Sequence, residues 1–155
     1  MVEDKKSNNL ELTFSEIKDR LNGQLLSIDQ ISAKFNFILG FNSIVLVLYL
    51  QTYLSNSSID WLLMISGLLL IIAVGVDLVG LYLRKYRRDP EPANLYNNYK
   101  DKSADETRNK LIAHYISCFE ENKKRIKRLS NLYKIAVAFT ATSIFIIFIY
   151  RINSF

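Results

Sequence analysis

Apolar and polar positions are segregated along this chain rather than interleaved. Residues 35–83 contain no lysine or arginine, and their only acidic residues are Asp60 and Asp77. Within that stretch, residues 35–54 form a mostly apolar run of about 20 residues, the length a helix needs to cross hydrocarbon. The polar turn Ser55-Asn56-Ser57-Ser58 follows, and residues 61–83 make a second run that opens on Trp61, an aromatic suited to the membrane interface. A third run, residues 135–150, is 16 residues long and uncharged. It reaches crossing length once Tyr133, Lys134 and Arg151 are taken as interfacial, with both cations snorkelling outward. A soluble bundle with very apolar helices is the competing reading. Residues 61–76 argue against it, because apart from Ser66 they hold no polar side chain, and a soluble helix needs a wet face.

The flanking segments are periodic in another way. Residues 1–12 read as a disordered N-terminus, and Thr13-Phe14-Ser15-Glu16 reads as a capping box opening an amphipathic helix over residues 13–34. Phe14, Leu21, Ile28 and Phe35 recur every seven residues, with Ile17, Gln24 and Ile31 at the intermediate positions. Asp89-Pro90-Glu91-Pro92 ends the second crossing helix, since proline lacks the donor and disfavours helix in the residue before it. Ser103-Ala104-Asp105-Glu106 is a second capping box, opening a helix over residues 104–131. There Ile112, Phe119, Ile126 and Tyr133 repeat every seven, with Tyr115, Asn122 and Leu129 between. Such stripes suit a coiled coil or simply a core-facing helix. The fold expected is an all-α membrane protein with three transmembrane helices (residues 35–54, 61–83 and 132–151) and cytoplasmic, coiled-coil-like helical extensions.

Charge sets the expected orientation. Residues 84–131 carry 13 lysines and arginines, residues 1–34 carry five, the turn at 55–60 none and the tail after the third crossing Arg151 alone. Positive residues stay on the cytoplasmic side, so the N-terminus and the long segment are expected inside the plasma membrane. The turn at 55–60 and the tail at 152–155 are expected outside. An apolar run that first starts at residue 35, with no small-residue cleavage site after it, does not read as a signal peptide.

Composition narrows the chemistry. A single cysteine and a single histidine leave no thiolate metal site, no histidine-pair ligand motif and no Ser/His/Asp or Cys/His scheme worth arguing. The chain reads as a non-enzyme with no cofactor, and His114 and Cys118 are expected to be solvated. Asp77 lies inside the second crossing, where a carboxylate costs about 2–3 kcal/mol on insertion scales. Depth matching places Asn42 and Thr140 at the same level, so the three form a candidate intramembrane polar cluster on an ion or proton path. The alternative is a structural hydrogen bond, or Lys34 or Lys134 reaching in from the interface. Small residues at Ala136-x-x-x-Thr140 and Ala138-x-x-x-Thr142, with Gly67, Gly75 and Gly80, suit close helix packing inside the chain or in a homo-oligomer.

Two basic patches, Arg84, Lys85, Arg87 and Arg88, and Lys123, Lys124, Arg125, Lys127 and Arg128, suit anionic lipid head groups at about 1 kcal/mol for each cation. Nucleic acid is disfavoured, since no glycine-rich phosphate loop or stacking platform accompanies them. Gln24 and Asn122 are the one amide in each seven-residue stripe. Counted back from Phe35 and Tyr133 they lie at equal height, so in parallel helices they would pair and fix the register. The flanking layers then match Leu21 with Phe119, Ile28 with Ile126, and Ile31 with Leu129.

A resemblance adds to this. The leader at residues 29–34 before an asparagine-containing crossing, the link Arg88-Asp89-Pro90-Glu91-Pro92, and a long helix containing Glu121-Asn122-Lys123 before a final crossing resemble small transmembrane effectors of bacterial cyclic-nucleotide-linked immunity. These are the SMODS- and SLOG-associated type, usually with two crossings, and the Pycsar transmembrane type. The resemblance covers roughly residues 27–150 and implies a role in antiviral defence, by compromising the inner membrane on activation. It also implies that a partner protein or the cytoplasmic helices sense the nucleotide signal. The residues alone leave two classes open. One is a membrane effector or oligomeric pore controlled by its cytoplasmic helices, and the other is a membrane-anchored scaffold that recruits a partner. A transporter is a distant third, without an inverted repeat or broken helix.

Overall fold

The computed structural model describes residues 2–54, 60–83 and 101–153, all but a few of them in three helices. They are α1 (Val2–Leu54), α2 (Trp61–Tyr82) and α3 (Ala104–Asn153). Each contains a stretch long and apolar enough to cross a membrane. Residues 55–59, which hold most of the turn expected at 55–60, and those that carry Arg84, Lys85, Arg87, Arg88 and the expected proline stop lie outside the described residues.

Two expectations at helix starts resolve differently. Helix α3 begins where its capping box predicts: Ser103 Oγ accepts from the Glu106 backbone N–H at 3.3 Å. Helix α1 does not. It starts at Val2, so the N-terminus is helical rather than disordered, and Thr13 sits inside a continuous helix. Residues 2–12 contain no proline or glycine, so nothing in the backbone forces a break there. The Ser15 hydroxyl bonds instead to the Leu12 carbonyl at 2.9 Å, as a mid-helix serine does.

The helices form two compact units. The first holds α1 through Ile28 and α3 through Ile126. Its core is Leu21 with Tyr115 and Cys118, flanked by Phe14 and Ile17. Phe14 and Tyr115 meet ring to ring at 5.6 Å, and Arg108 reaches Glu11 at 4.0 Å. Partners on the two helices rise in residue number together, so the pair is parallel. Cys118 is fully buried, which corrects the expectation that it is solvated. The most buried stripe on α3 is Tyr115, Asn122, Leu129, Ala136 and Ser143, with Cys118 beside it. Ile112, Phe119, Ile126 and Tyr133 are only half-buried.

The second unit holds α1 from Asp29, all of α2, and α3 from Lys127. Phe35 meets Tyr133 edge to face at 5.7 Å, again with α1 and α3 parallel. Helix α2 runs opposite to α1, since Phe35 packs at Gly80 and Tyr49 at Gly67. The unit is inverted relative to a water-soluble protein. The buried positions of α2 are Leu63, Ser66, Gly67, Leu70, Ala73, Asp77 and Gly80, while Met64, Leu68, Ile71 and Leu78 face outward. Small and polar groups inside with large apolar groups outside is the pattern of helices whose solvent is lipid. In water it would expose a far larger apolar patch than soluble monomers carry. Among the described residues the structure is all-helical, with three helices long and apolar enough to cross a membrane.

Candidate functional site: a polar cluster between the crossing helices

Helix α2 starts sharply. Asp60, in extended conformation, caps it by accepting from the Leu62 backbone N–H at 2.8 Å. Its end is closed by the Leu83 N–H on the Val79 carbonyl. Between those ends, inward positions recur at 63, 70 and 77 and at 66, 73 and 80, so Asp77 is carried to the centre of the unit by the same seven-residue spacing that buries Leu63 and Leu70. Asn42 lies seven residues after Phe35 on the buried face of α1, and Thr140 seven after Tyr133 on α3.

The depth-matched trio is in contact. Asn42 Nδ2 donates to Asp77 Oδ2 at 2.8 Å, and Thr140 Oγ1 donates to Asn42 Oδ1 at 2.8 Å. The same hydroxyl also lies 2.9 Å from the Ala136 carbonyl, so its single proton has two acceptors to choose between. Asn42 and Asp77 are fully buried and Thr140 nearly so. Asp77 Oδ1 has no hydrogen-bond partner. Lys34 and Lys134 are exposed and form no ion pair with Asp77, so the carboxylate is held by an amide and not by a cation. One asparagine, using both ends of its side chain, ties all three helices together.

Toward the other end of α2 lies a second polar contact that depth matching did not single out. The Ser66 and Ser143 hydroxyls stand 2.9 Å apart, and each is also within hydrogen-bond distance of the other's backbone carbonyl, at 2.9 and 3.1 Å. Reciprocal bonding of this kind needs the α2 and α3 backbones in close approach, which side chains as small as serine at both positions permit. The sequence signal was there: Ser66 is the lone polar residue in its run. Asp60 as an N-cap was equally legible, being the one acid directly before an apolar helix.

Of the small-residue pairs, Ala136 and Thr140 face inward and are used within the chain, whereas Ala138 and Thr142 face outward. Gly67 and Gly80 are buried, and Gly75 is exposed. Lys123, Lys124, Lys127 and Arg128 are exposed, with Arg125 half-buried. Gln24 does not use its amide as the register argument required. Its Nε2 donates to the Phe119 backbone carbonyl at 3.2 Å, one turn before Asn122, and its Oε1 is buried without a partner. Leu21 correspondingly packs on Tyr115 and Cys118. His114 is half-buried, with Nε2 3.5 Å from Cys118 Sγ. Among the described residues no three His, Cys, Asp or Glu side chains gather as a metal site.

Neither a protein-family model, nor a curated protein, nor a solved structure matches this chain.

Proposed function

We propose that this protein is a non-enzymatic, multipass effector of the bacterial plasma membrane, which perturbs the bilayer or assembles an oligomeric pore under the control of its cytoplasmic helices. The observation that carries this reading is the Asn42–Asp77–Thr140 cluster. A carboxylate placed within a crossing helix raises the cost of insertion, and such residues mark ion or proton pathways by default. Here the cost is offset by one amide donor, and one carboxylate oxygen stays open. Helices α1 and α3 each run unbroken from the basic segment's side into the crossings, so a change in the cytoplasmic helix pair has a continuous element along which to act. The exposed cations of α3 suit anionic head groups on the cytoplasmic face, and a protein partner or a nucleotide signal is the expected trigger.

A membrane-anchored scaffold is the second reading, and the closed bonding of Asn42 favours it, since both ends of that side chain are satisfied within one chain. Cells expressing the protein and carrying a membrane-potential dye separate the two. An effector depolarises the cells, and Asp77→Asn alters the response. A membrane potential unchanged by expression of either form, in the presence of the trigger or without it, overturns the effector reading.

A further inference from the structure

At the end of the second unit away from Phe35 and Tyr133, helices α1 and α3 leave an outward-facing groove of about 470 Å³. Phe41, Leu48 and Thr52 line one side, and Ile144, Phe148 and Arg151 the other. The volume falls in the range of small-molecule sites, roughly 300–1,000 Å³. Its length is more informative. From Phe41 to Thr52 a helix rises about 16 Å, close to the roughly 15 Å of one leaflet in a hydrocarbon core about 30 Å thick. The groove therefore starts near the middle of the bilayer and ends at the surface, with Arg151 and the Thr52 side chain at the outer end. Arg151 is exposed and makes no ion pair among the described residues.

The geometry points to a binding site for one anionic phospholipid, its acyl chain lying in the groove and its phosphate on Arg151. A guanidinium presents paired donors to phosphate oxygens, and an apolar slot one leaflet deep beneath it fits a single chain. A helix from a second copy fits less well. After Glu121 the chain has no acidic residue, and residues 35–83 offer only Asp60 and Asp77. Asp77 is buried on Asn42 and Asp60 spends one carboxylate oxygen capping α2, so within these crossings a copy offers Arg151 no carboxylate beyond the remaining oxygen of Asp60. This site stands at the opposite end of the crossings from the basic run of α3, and it does not depend on whether the protein permeabilises the membrane.

The test uses the full chain reconstituted in bilayers containing phosphatidylglycerol with a photoreactive group in its acyl chain, crosslinks being mapped by peptide mass spectrometry. Labelling is expected on the peptides carrying Phe41–Thr52 and Ile144–Ile152. Arg151→Gln should lower it about tenfold, the scale set by losing a charge-assisted hydrogen bond, while Arg151→Lys keeps most of it. Leu48→Trp, which fills the slot and leaves Arg151 in place, should also abolish labelling. Far-UV circular dichroism establishes that each variant keeps its helices. Equal labelling in wild type and Arg151→Gln, equal labelling by a phosphatidylcholine probe, or disulfide crosslinking of the Leu48→Cys variant to a second copy through its introduced thiol overturns the proposal.

Discussion

Asp77 is the residue whose placement was most legible and whose chemistry is least conventional. Counting Asp77 in from the cytoplasmic end of its crossing and matching Asn42 and Thr140 to that depth put the three near one height, and their contacts at 2.8 Å agree with it. The count worked because a helix rises about 1.5 Å for every residue, and the seven-residue spacing put all three side chains on inward faces. It said nothing of which side chain donates, since that depends on rotamers. Asp77→Asn keeps an acceptor for Asn42 while removing the acid, so the folded protein should gain up to about 2 kcal/mol in detergent unfolding. Asn42→Leu strips the carboxylate of its donor and should destabilise by about 1–3 kcal/mol. The glycines differ for steric reasons. At Gly80 the ring of buried Phe35 occupies the place of a Cβ, so Gly80→Ala should cost about 1–3 kcal/mol. Gly75 has nothing within 4 Å, and Gly75→Ala should be neutral or slightly stabilising in the same assay.

At the scale of the element, the two capping boxes show what a local motif can and cannot settle. Ser103 caps α3 by accepting from the Glu106 backbone N–H, and Ser103→Ala should cost about 1 kcal/mol of stability. Its partner Glu106 turns forward to Lys110 at 3.0 Å instead of back to the cap. The hydrogen bond from Lys110 and its charge hold the Glu106 carboxyl below the usual range. Its small, solvent-screened contribution is therefore present above the unfolded carboxylate pKa of about 4.3 and lost as pH falls through the lower folded value. Lys110→Ala should remove that acid sensitivity from helicity followed by circular dichroism. The box at Thr13 has the same Ser/Thr-x-x-Glu pattern, but nothing upstream interrupts α1, and an unbroken helix needs no cap there. The register pair was half legible. Equal height was right to within a turn, yet the Gln24 amide found a backbone carbonyl, a partner that no pattern of side chains reveals. Because its Oε1 is buried and unbonded, Gln24→Leu should be neutral or stabilise the helix pair by up to about 1 kcal/mol.

For the whole molecule, the inverted distribution of residue sizes carries the membrane reading, and charge asymmetry carries the orientation. An exterior of large apolar side chains is stable only where the surroundings are themselves apolar, and all three helices share it: Phe37 and Val47 on α1, Ile71 on α2, and Phe145 and Phe148 on α3 are each more than half exposed. Composition alone announced three helices long and apolar enough to cross a membrane, because the apolar runs carry no charged face. Which face points inward had to wait for packing, since Ala136 and Ala138 look alike in sequence and only one is buried. Orientation rests on a different force, the retention of lysine and arginine on the cytoplasmic side. Residues 84–131 hold 13 such residues, and residues 1–34 hold five. Helices α1 and α3 are parallel within each unit, so their amino ends lie on one side of the bilayer if both cross it. A reporter active only outside the cell should therefore light when fused after Phe155 and stay dark when inserted beside Lys102. Reversing the charge of Lys123, Lys124, Lys127 and Arg128 together should weaken that preference and give a mixed population. A dark Phe155 fusion, with the protein at full length in the membrane, would show that α3 does not cross and would leave α1 and α2 as the only spans.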